Sequence, residues 1–358
     1  MSKSIQCLFI ANTEIVSASL EQSLSEAFQS AGVILDIIYP DSINLFKKFS
    51  LLGRINSRII DLIYYKKITL FKKLKKLNLK TYTFIFVLKG TDVTPKMLKY
   101  IKNKNIPVVC YNPDNPYNNA SSNKNIQNSI SLYDIYFIWS KKLCSIIEKK
   151  ENVKTVYLPF AADLKLHNIQ NLKAKITAKY PISFIGNWDE EREIWLTQIE
   201  KKISLSLFGN NWAYKLKSNT LKKCYTGYSV LSENFTKTVQ ETAININILR
   251  LQNKNSNNMR TFEILASGGF LLHEYSEEVA ELFIEGQEIE FFRDKEELNS
   301  KIEFYLNNIK KAQEIAHAGN IKISANNHTY DQRVKTILLE VKKNYTNLYE
   351  RYNIKNEK

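Results

Sequence analysis

The sequence predicts an α/β protein with two Rossmann-like halves, each an open parallel sheet covered by helices. Three observations carry this reading. Short β-branched or aromatic runs alternate with helix-like stretches. The alternation occurs twice along the chain. At 358 residues, the chain is too long for one ordinary core.

In the first half the strand-like runs are residues 5–11, 35–39, 83–88, 107–111, 135–139 and 155–158. Between the first two, Leu20, Leu24, Ala27 and Phe28 recur at helical spacing over residues 17–31, and Gly32 closes that helix. Pro40 and Pro159 end the second and sixth strands. In the second half, residues 182–185, 204–208, 243–249, 270–273 and 290–292 read as strands. Residues 190–201, 259–267, 295–306 and 330–352 read as helices. The expected division is an N-terminal domain at 1–162, a C-terminal domain at 163–340, and a last helical segment at 341–358 that packs back on the N-terminal domain. Ligands of open parallel sheets bind beyond the carboxyl ends of the strands, in a crevice. The loops just after the strands, facing an interdomain cleft, are therefore the ones to read.

Composition narrows the class. Apolar residues make up 44% and charged residues 24%, as in water-soluble globular domains. No run of about eighteen apolar residues occurs, so no transmembrane helix is expected. The apolar stretch near the N-terminus is too short for a signal peptide and reads as the first strand, which suggests a cytoplasmic protein. Cys7, Cys110, Cys144 and Cys224 form no CxxC pair and read as isolated buried thiols. No metal site and no cofactor is expected from them.

The net charge is +15, and it is unevenly spread. Between Lys47 and Lys80 stand eleven Lys or Arg and one acid, Asp61, a net +10. Apolar residues are interleaved, so the segment reads as one or two basic amphipathic helices. It suits a solvated face, or docking on an anionic membrane surface or acceptor. No nucleic-acid-binding signature accompanies it, and no nucleic-acid partner is expected.

The loop after residues 243–249 carries the most chemistry. Arg250, Lys254 and Arg260 are basic, no acid intervenes, and a helix starts at Asn258. Free N–H groups at a helix N-terminus, with arginine forks beside them, suit a diphosphate. Glu263, five residues after Asn258, can accept two hydrogen bonds from a ribose diol. The same residues also suit a polar surface loop with Asn258 as an ordinary helix cap.

The run Asn258-Met-Arg-Thr-Phe-Glu-Ile-Leu-Ala-Ser-Gly-Gly-Phe-Leu-Leu-His-Glu274 resembles the donor-site signature of GT-B glycosyltransferases. More narrowly it resembles the CgeB-like, glycosyltransferase group 1 family. Ile182-Ser-Phe-Ile-Gly-Asn187-Trp with Arg192, Leu207-Phe-Gly209-Asn-Asn-Trp212, Ile246-Asn247-Ile-Leu-Arg250 and Phe291-Phe-Arg-Asp fit the same pattern. The likeness spans residues 180–310, and extends weakly to Lys89-Gly90, Asn112-Pro-Asp114 and Tyr157-Leu-Pro159. It implies transfer of a sugar from a nucleoside-diphosphate sugar, without a catalytic metal, to a glycan, lipid-linked or protein acceptor. In that reading Glu263 holds the ribose, and Arg250 and Arg260 face the diphosphate. Gly186, Asn187 and Asn210 allow close backbone approach, Asn258 and Thr261 open the helix, and His273 borders the donor sugar. Trp188 and Trp212 suit stacking or core packing.

One position departs from the pattern. Related retaining enzymes carry a Glu-x7-Glu motif whose first glutamate falls at Asn255 here. Stereochemistry is thus open. An inverting reaction needs a general base, and Asp114, after the fourth strand, is the first candidate, although it also suits a Pro–Asp turn. Glu14, after the first strand, is the second, although it also suits a first-turn helix acid. Competing functions are a nucleotide-sugar epimerase of the same fold, a non-catalytic sugar-nucleotide binder, and a nucleic-acid-binding protein.

Overall fold

The computed structural model describes residues 4–41, 55–167, 178–200, 202–325 and 328–353, with backbone alone at 55–64 and 345–353. The chain divides into two compact units, 1–158 with 334–358, and 159–333.

The first unit holds six strands: β1 (Gln6–Ile10), β2 (Ile34–Ile38), β3 (Phe84–Leu88), β4 (Val108–Asn112), β5 (Ile135–Ile138) and β6 (Thr155–Tyr157). They pair in parallel, in the order β2-β1-β3-β4-β5-β6. Phe-Ile-Phe-Val-Leu in β3 and Val-Val-Cys-Tyr-Asn in β4 are buried at every position, as a sheet covered on both faces requires. Phe9, Phe28 and Phe86 knit β1, helix Leu20–Ser30 and β3, with ring centroids 5.1 Å apart for Phe9–Phe86 and Phe28–Phe86. Ser19 caps that helix through its side chain, a contact worth about 1 kcal/mol. The C-terminal helix Tyr330–Asn353 contributes to this unit from Val334 onward, where Lys154 Nζ donates to Glu340 Oε2 at 2.6 Å.

The second unit holds β7 (Tyr180–Ile185), β8 (Leu205–Phe208), β9 (Thr242–Asn247), β10 (Leu271–Glu274) and β11 (Glu290–Phe292). They too are parallel, in the order β8-β7-β9-β10-β11. Ile182, Phe184, Leu207, Ile246, Leu272 and Phe292 form the centre of its core.

Both sheets follow the sequence pattern, each strand falling within two residues of its expected bounds. One long helix, Ile309–Ala325, was not expected. Gly319 lies within it because a Cβ there would stand 2.3 Å from the Glu288 carbonyl oxygen. The helix lies against that backbone too closely for any side chain, so a residue that reads as a breaker is a packing requirement. The basic segment contributes one described helix, Ile55–Lys76, while residues 47–54 lie outside the described residues, as does Lys201 at the end of an expected helix. Among the described residues, no helix is long and apolar enough to cross a membrane.

Candidate functional site

Both sheets reverse strand order beside their first strand, at β1/β3 in one unit and β7/β9 in the other. Such a switch point is where open parallel sheets bind ligands. The donor-site residues expected from the sequence all lie in the second unit, on the segments that follow β7, β8 and β9 or on β10 itself.

Helix Met259–Ala266 begins in a capping box. Asn258 Oδ1 accepts from the Thr261 N–H at 3.1 Å, and Asn258 exchanges amide hydrogen bonds with Asn247 at the end of β9. This fixes where the helix starts. Arg260, in its first turn, donates Nε to the Ile185 carbonyl at the end of β7 at 3.1 Å. Its guanidinium also pairs with Glu263 and lies 4.4 Å from the Phe235 ring centroid. Glu263 is buried, and its other oxygen lies 3.8 Å from His167 Nε2. Burial lowers the pKa of His167, opposed by Glu263, so the ring is neutral near pH 7.

The strand-end loops are joined directly. Gly209, with φ +139°, sits where a Cβ would stand 2.0 Å from the Gly186 carbonyl oxygen. That same oxygen accepts from Trp212 Nε1 at 2.7 Å. Exposed Asn187 accepts the Asn210 N–H through Oδ1 at 3.2 Å. Buried Arg192 donates Nε to Ile248 O at 3.1 Å and Nη1 to Asn187 O at 3.0 Å. Burial, then the neighbouring Arg250, pushes its pKa down to about 9.

His273 is fully buried. Its Nδ1 faces the Glu274 carbonyl, which only accepts, so Nδ1 carries the proton and Nε2 accepts from Thr261 Oγ1 at 2.9 Å. Burial pushes its pKa down to about 4. The ring thus holds Thr261 and the capping box in place. Trp212 is fully buried against Phe184, and half-buried Trp188 donates Nε1 to Glu193 Oε2 at 2.7 Å.

The loop 250–258 differs from the sequence reading in two respects. Its cations are not unopposed: Arg250 faces Asp189 at 3.7 Å, and Lys254 faces Glu191 at 3.3 Å and Glu274 at 3.4 Å. These acids come from the segment after β7 and from β10, which no local reading of the loop includes. Its asparagines and serines are largely structural. Asn253 Nδ2 donates to Asn257 O at 2.8 Å, and Asn257 Oδ1 accepts the Phe160 N–H at 3.0 Å. Ser256 Oγ donates to Glu278 Oε2 at 2.7 Å. Asn255 has φ +60°, a left-handed conformation that asparagine tolerates better than glutamate.

The two candidate bases lie in the first unit. Asp114 follows β4, where its N–H donates to Asn112 Oδ1 at 3.0 Å and its Oδ2 accepts from Lys89 Nζ at 2.7 Å. Glu14 is exposed in the loop after β1. It is not a first-turn acid, because the helix starts only at Leu20 and carries Glu21 in that turn. Among the described residues no cluster of His, Cys, Asp or Glu could hold a metal ion.

Comparison with known proteins places this geometry. Residues 192–339 match a family model described as glycosyl transferase-like. No curated protein sequence matches the chain. Among solved structures, a glycosyltransferase from Rickettsia africae ESF-5 is similar, with 11% identity, a TM-score of 0.62, and coverage of 95% of this chain and 98% of that one. Anabaena Alr3699/HepE in complex with UDP-glucose is similar at 11% identity, TM-score 0.60, covering 95% and 100%. Sucrose-phosphate synthase from Thermosynechococcus elongatus is similar at 12% identity, TM-score 0.64, covering 97% and 100%. The chain has the two-sheet GT-B fold, and its residues 192–339 resemble the glycosyl transferase-like family.

Proposed function

We propose that the chain transfers a sugar from a nucleoside-diphosphate sugar to an acceptor hydroxyl, with the donor held by the second unit. The observation that carries this reading is Arg260 and Glu263 on one capped helix that starts where β7 and β9 end. In this reading Glu263 accepts the ribose hydroxyls, and Arg260 turns from Glu263 to the diphosphate. Arg250 releases Asp189 to do the same. The helix N-terminus adds N–H donors for the anion. Asn187 and Asn210 meet the donor sugar from the exposed loops after β7 and β8.

Stabilisation of the departing diphosphate by arginines and N–H groups replaces a metal ion in this account. Asp114 takes the proton of the acceptor hydroxyl, and Glu14 is the second candidate for that role. The acceptor is a glycan, a lipid-linked sugar or a protein side chain. Lys72, Lys75 and Lys76, exposed at the end of helix Ile55–Lys76, supply a basic face for a lipid-linked acceptor at an anionic membrane surface.

UDP-glucose heads the donor panel to test, because HepE is bound to it. Incubation with the panel, with and without EDTA, checks the proposal. EDTA-resistant release of the nucleoside diphosphate is expected. Release that needs a divalent metal would overturn metal independence, and no binding of any sugar nucleotide would overturn the function.

A further inference from the structure

Glu263 stands between two groups that can hold its charge. Arg260 meets one carboxylate oxygen, Oε2, and His167 Nε2 stands 3.8 Å from the other, Oε1. Phe235, on helix Ser232–Gln240, touches both: the Arg260 guanidinium is 4.4 Å from its ring centroid, and the His167 ring makes a T-shaped contact with it at 5.3 Å. A turn carries His167 there. The His167 N–H donates to the Asp163 carbonyl at 2.9 Å, and Thr236 Oγ1 donates to the Leu166 carbonyl at 3.2 Å, which ties the turn to that helix.

The ring is fixed in place but its nitrogens are poorly used. His167 is 6% exposed, and its Nδ1 has no hydrogen-bond partner among the described residues. A separation of 3.8 Å is too long for a direct hydrogen bond from Nε2 to Glu263. Buried polar atoms are nearly always paired, so an imidazole left short of a buried carboxylate needs a reason. Arg260 supplies it. The charged groups that act on His167 are Glu263 and Arg260 on helix Met259–Ala266 and Asp163 on its own turn, while Phe235 on the other helix is apolar. Burial holds the proton off the ring, Glu263 favours it, and Arg260 opposes it. Once Arg260 turned to a diphosphate, Glu263 would be buried without its cation, a costly state. A proton on His167 restores the balance.

We propose that His167 is a positioning residue for the donor: it takes up a proton as Arg260 leaves Glu263 for the diphosphate, and its imidazolium then holds the carboxylate that accepts the ribose. The proton comes from solvent, and no covalent bond forms or breaks. This rests on reading Arg260 and Glu263 as the donor site.

Calorimetry of UDP-glucose, GDP-glucose and dTDP-glucose with the full chain at pH 7, in buffers of different ionisation heat, counts the protons exchanged. The diphosphate of these probes does not titrate near that pH, so any uptake belongs to the protein. Wild type should take up a fraction of a proton, and His167→Gln none. Because the bound form holds a proton that the free form lacks, wild-type affinity should rise as pH falls from 8 to 6, by up to about tenfold per pH unit. The affinity of His167→Gln should stay flat and meet that of wild type at pH 8. A merely structural histidine would shift affinity alike at every pH. NMR titration adds a readout that needs no ligand: Arg260→Ala should raise the pH at which the His167 ring titrates. The resonance missing from His167→Gln identifies that ring among the four histidines. Binding of a probe without proton uptake, uptake that persists in His167→Gln, or an unmoved His167 titration in Arg260→Ala overturns the proposal and leaves the donor reading intact. A chain that binds none of the probes overturns the donor reading and the proposal with it.

Discussion

Arg260 closes onto Glu263 one turn further along the same helix, so the group expected to face a diphosphate is held by the group expected to face a ribose. Arg260 is half-buried beside Phe235, Glu263 is buried, and the pair needs no ligand to be satisfied. A nucleoside diphosphate bound there as proposed would exchange one ion pair for another. Arg260→Ala is expected to weaken UDP binding by about 10- to 100-fold, the loss of a charge-assisted phosphate contact. Uridine, which lacks phosphate, should lose less than about threefold by the same reasoning. Calorimetric titration of both ligands checks this, and equal losses would remove Arg260 from the phosphate site.

The contact between Gly209 and Gly186 makes the strand-end loops interdependent. Gly209→Ala puts a methyl group 2.0 Å from the Gly186 carbonyl oxygen, at a φ of +139° that L side chains rarely adopt. We expect a loss of at least about 3 kcal/mol in urea unfolding, as for strain and overpacking combined. Gly227→Ala is the control: its φ is also positive, but its Cβ would meet nothing within 4 Å. It should cost only about 1 kcal/mol. Equal costs for the two would show that the close approach does not matter.

Two buried histidines make stability depend on pH in a defined window. Burial pushes both His273 and His328 down to about 4, whereas an unfolded histidine titrates near ~6.5. Above that value neither state holds the proton, and the contribution is constant. As pH falls from there toward 4, the unfolded chain takes up protons that the folded chain refuses. Each histidine then lowers stability by up to about 1.4 kcal/mol per pH unit. His328 packs on Phe262 and Phe283, with centroids 5.8 Å and 5.1 Å away, and its Nδ1 has no partner. His328→Phe should therefore keep the packing and flatten the slope between pH 6.5 and 5 by one histidine's share. An unchanged slope in urea melts would contradict this.

Asp114 and Lys89 form a half-buried ion pair, 2.7 Å between Oδ2 and Nζ. If Asp114 takes the acceptor's proton, Asp114→Asn lowers turnover by about 10²- to 10⁴-fold, the usual contribution of a general base. Donor affinity should not change. Turnover within about threefold of wild type would exclude the role and pass it to Glu14.

The fold was legible because the strands are short apolar runs, most of them β-branched or aromatic, that alternate with helix-like stretches. Gly319 hid one helix, since its reason is the Glu288 backbone rather than its own conformation. At the candidate site, the helix start at Asn258, with Arg260 and Glu263 in its first turns, was legible in the sequence. The opposing acids Asp189, Glu191 and Glu274 were not, because they come from other segments and meet the loop only in three dimensions. His167 carried no signal in the sequence, although it lies beside Glu263.

The central claim is that Glu263 anchors the ribose of a sugar nucleotide. Calorimetric titration of UDP-glucose and the other donors, into wild type and Glu263→Ala, tests it most directly. The account predicts that one donor binds the wild type and that Glu263→Ala weakens it by at least about tenfold, the value of hydrogen bonds to a charged acceptor. The variant should still melt cooperatively. Unchanged affinity in a folded Glu263→Ala protein would contradict the claim.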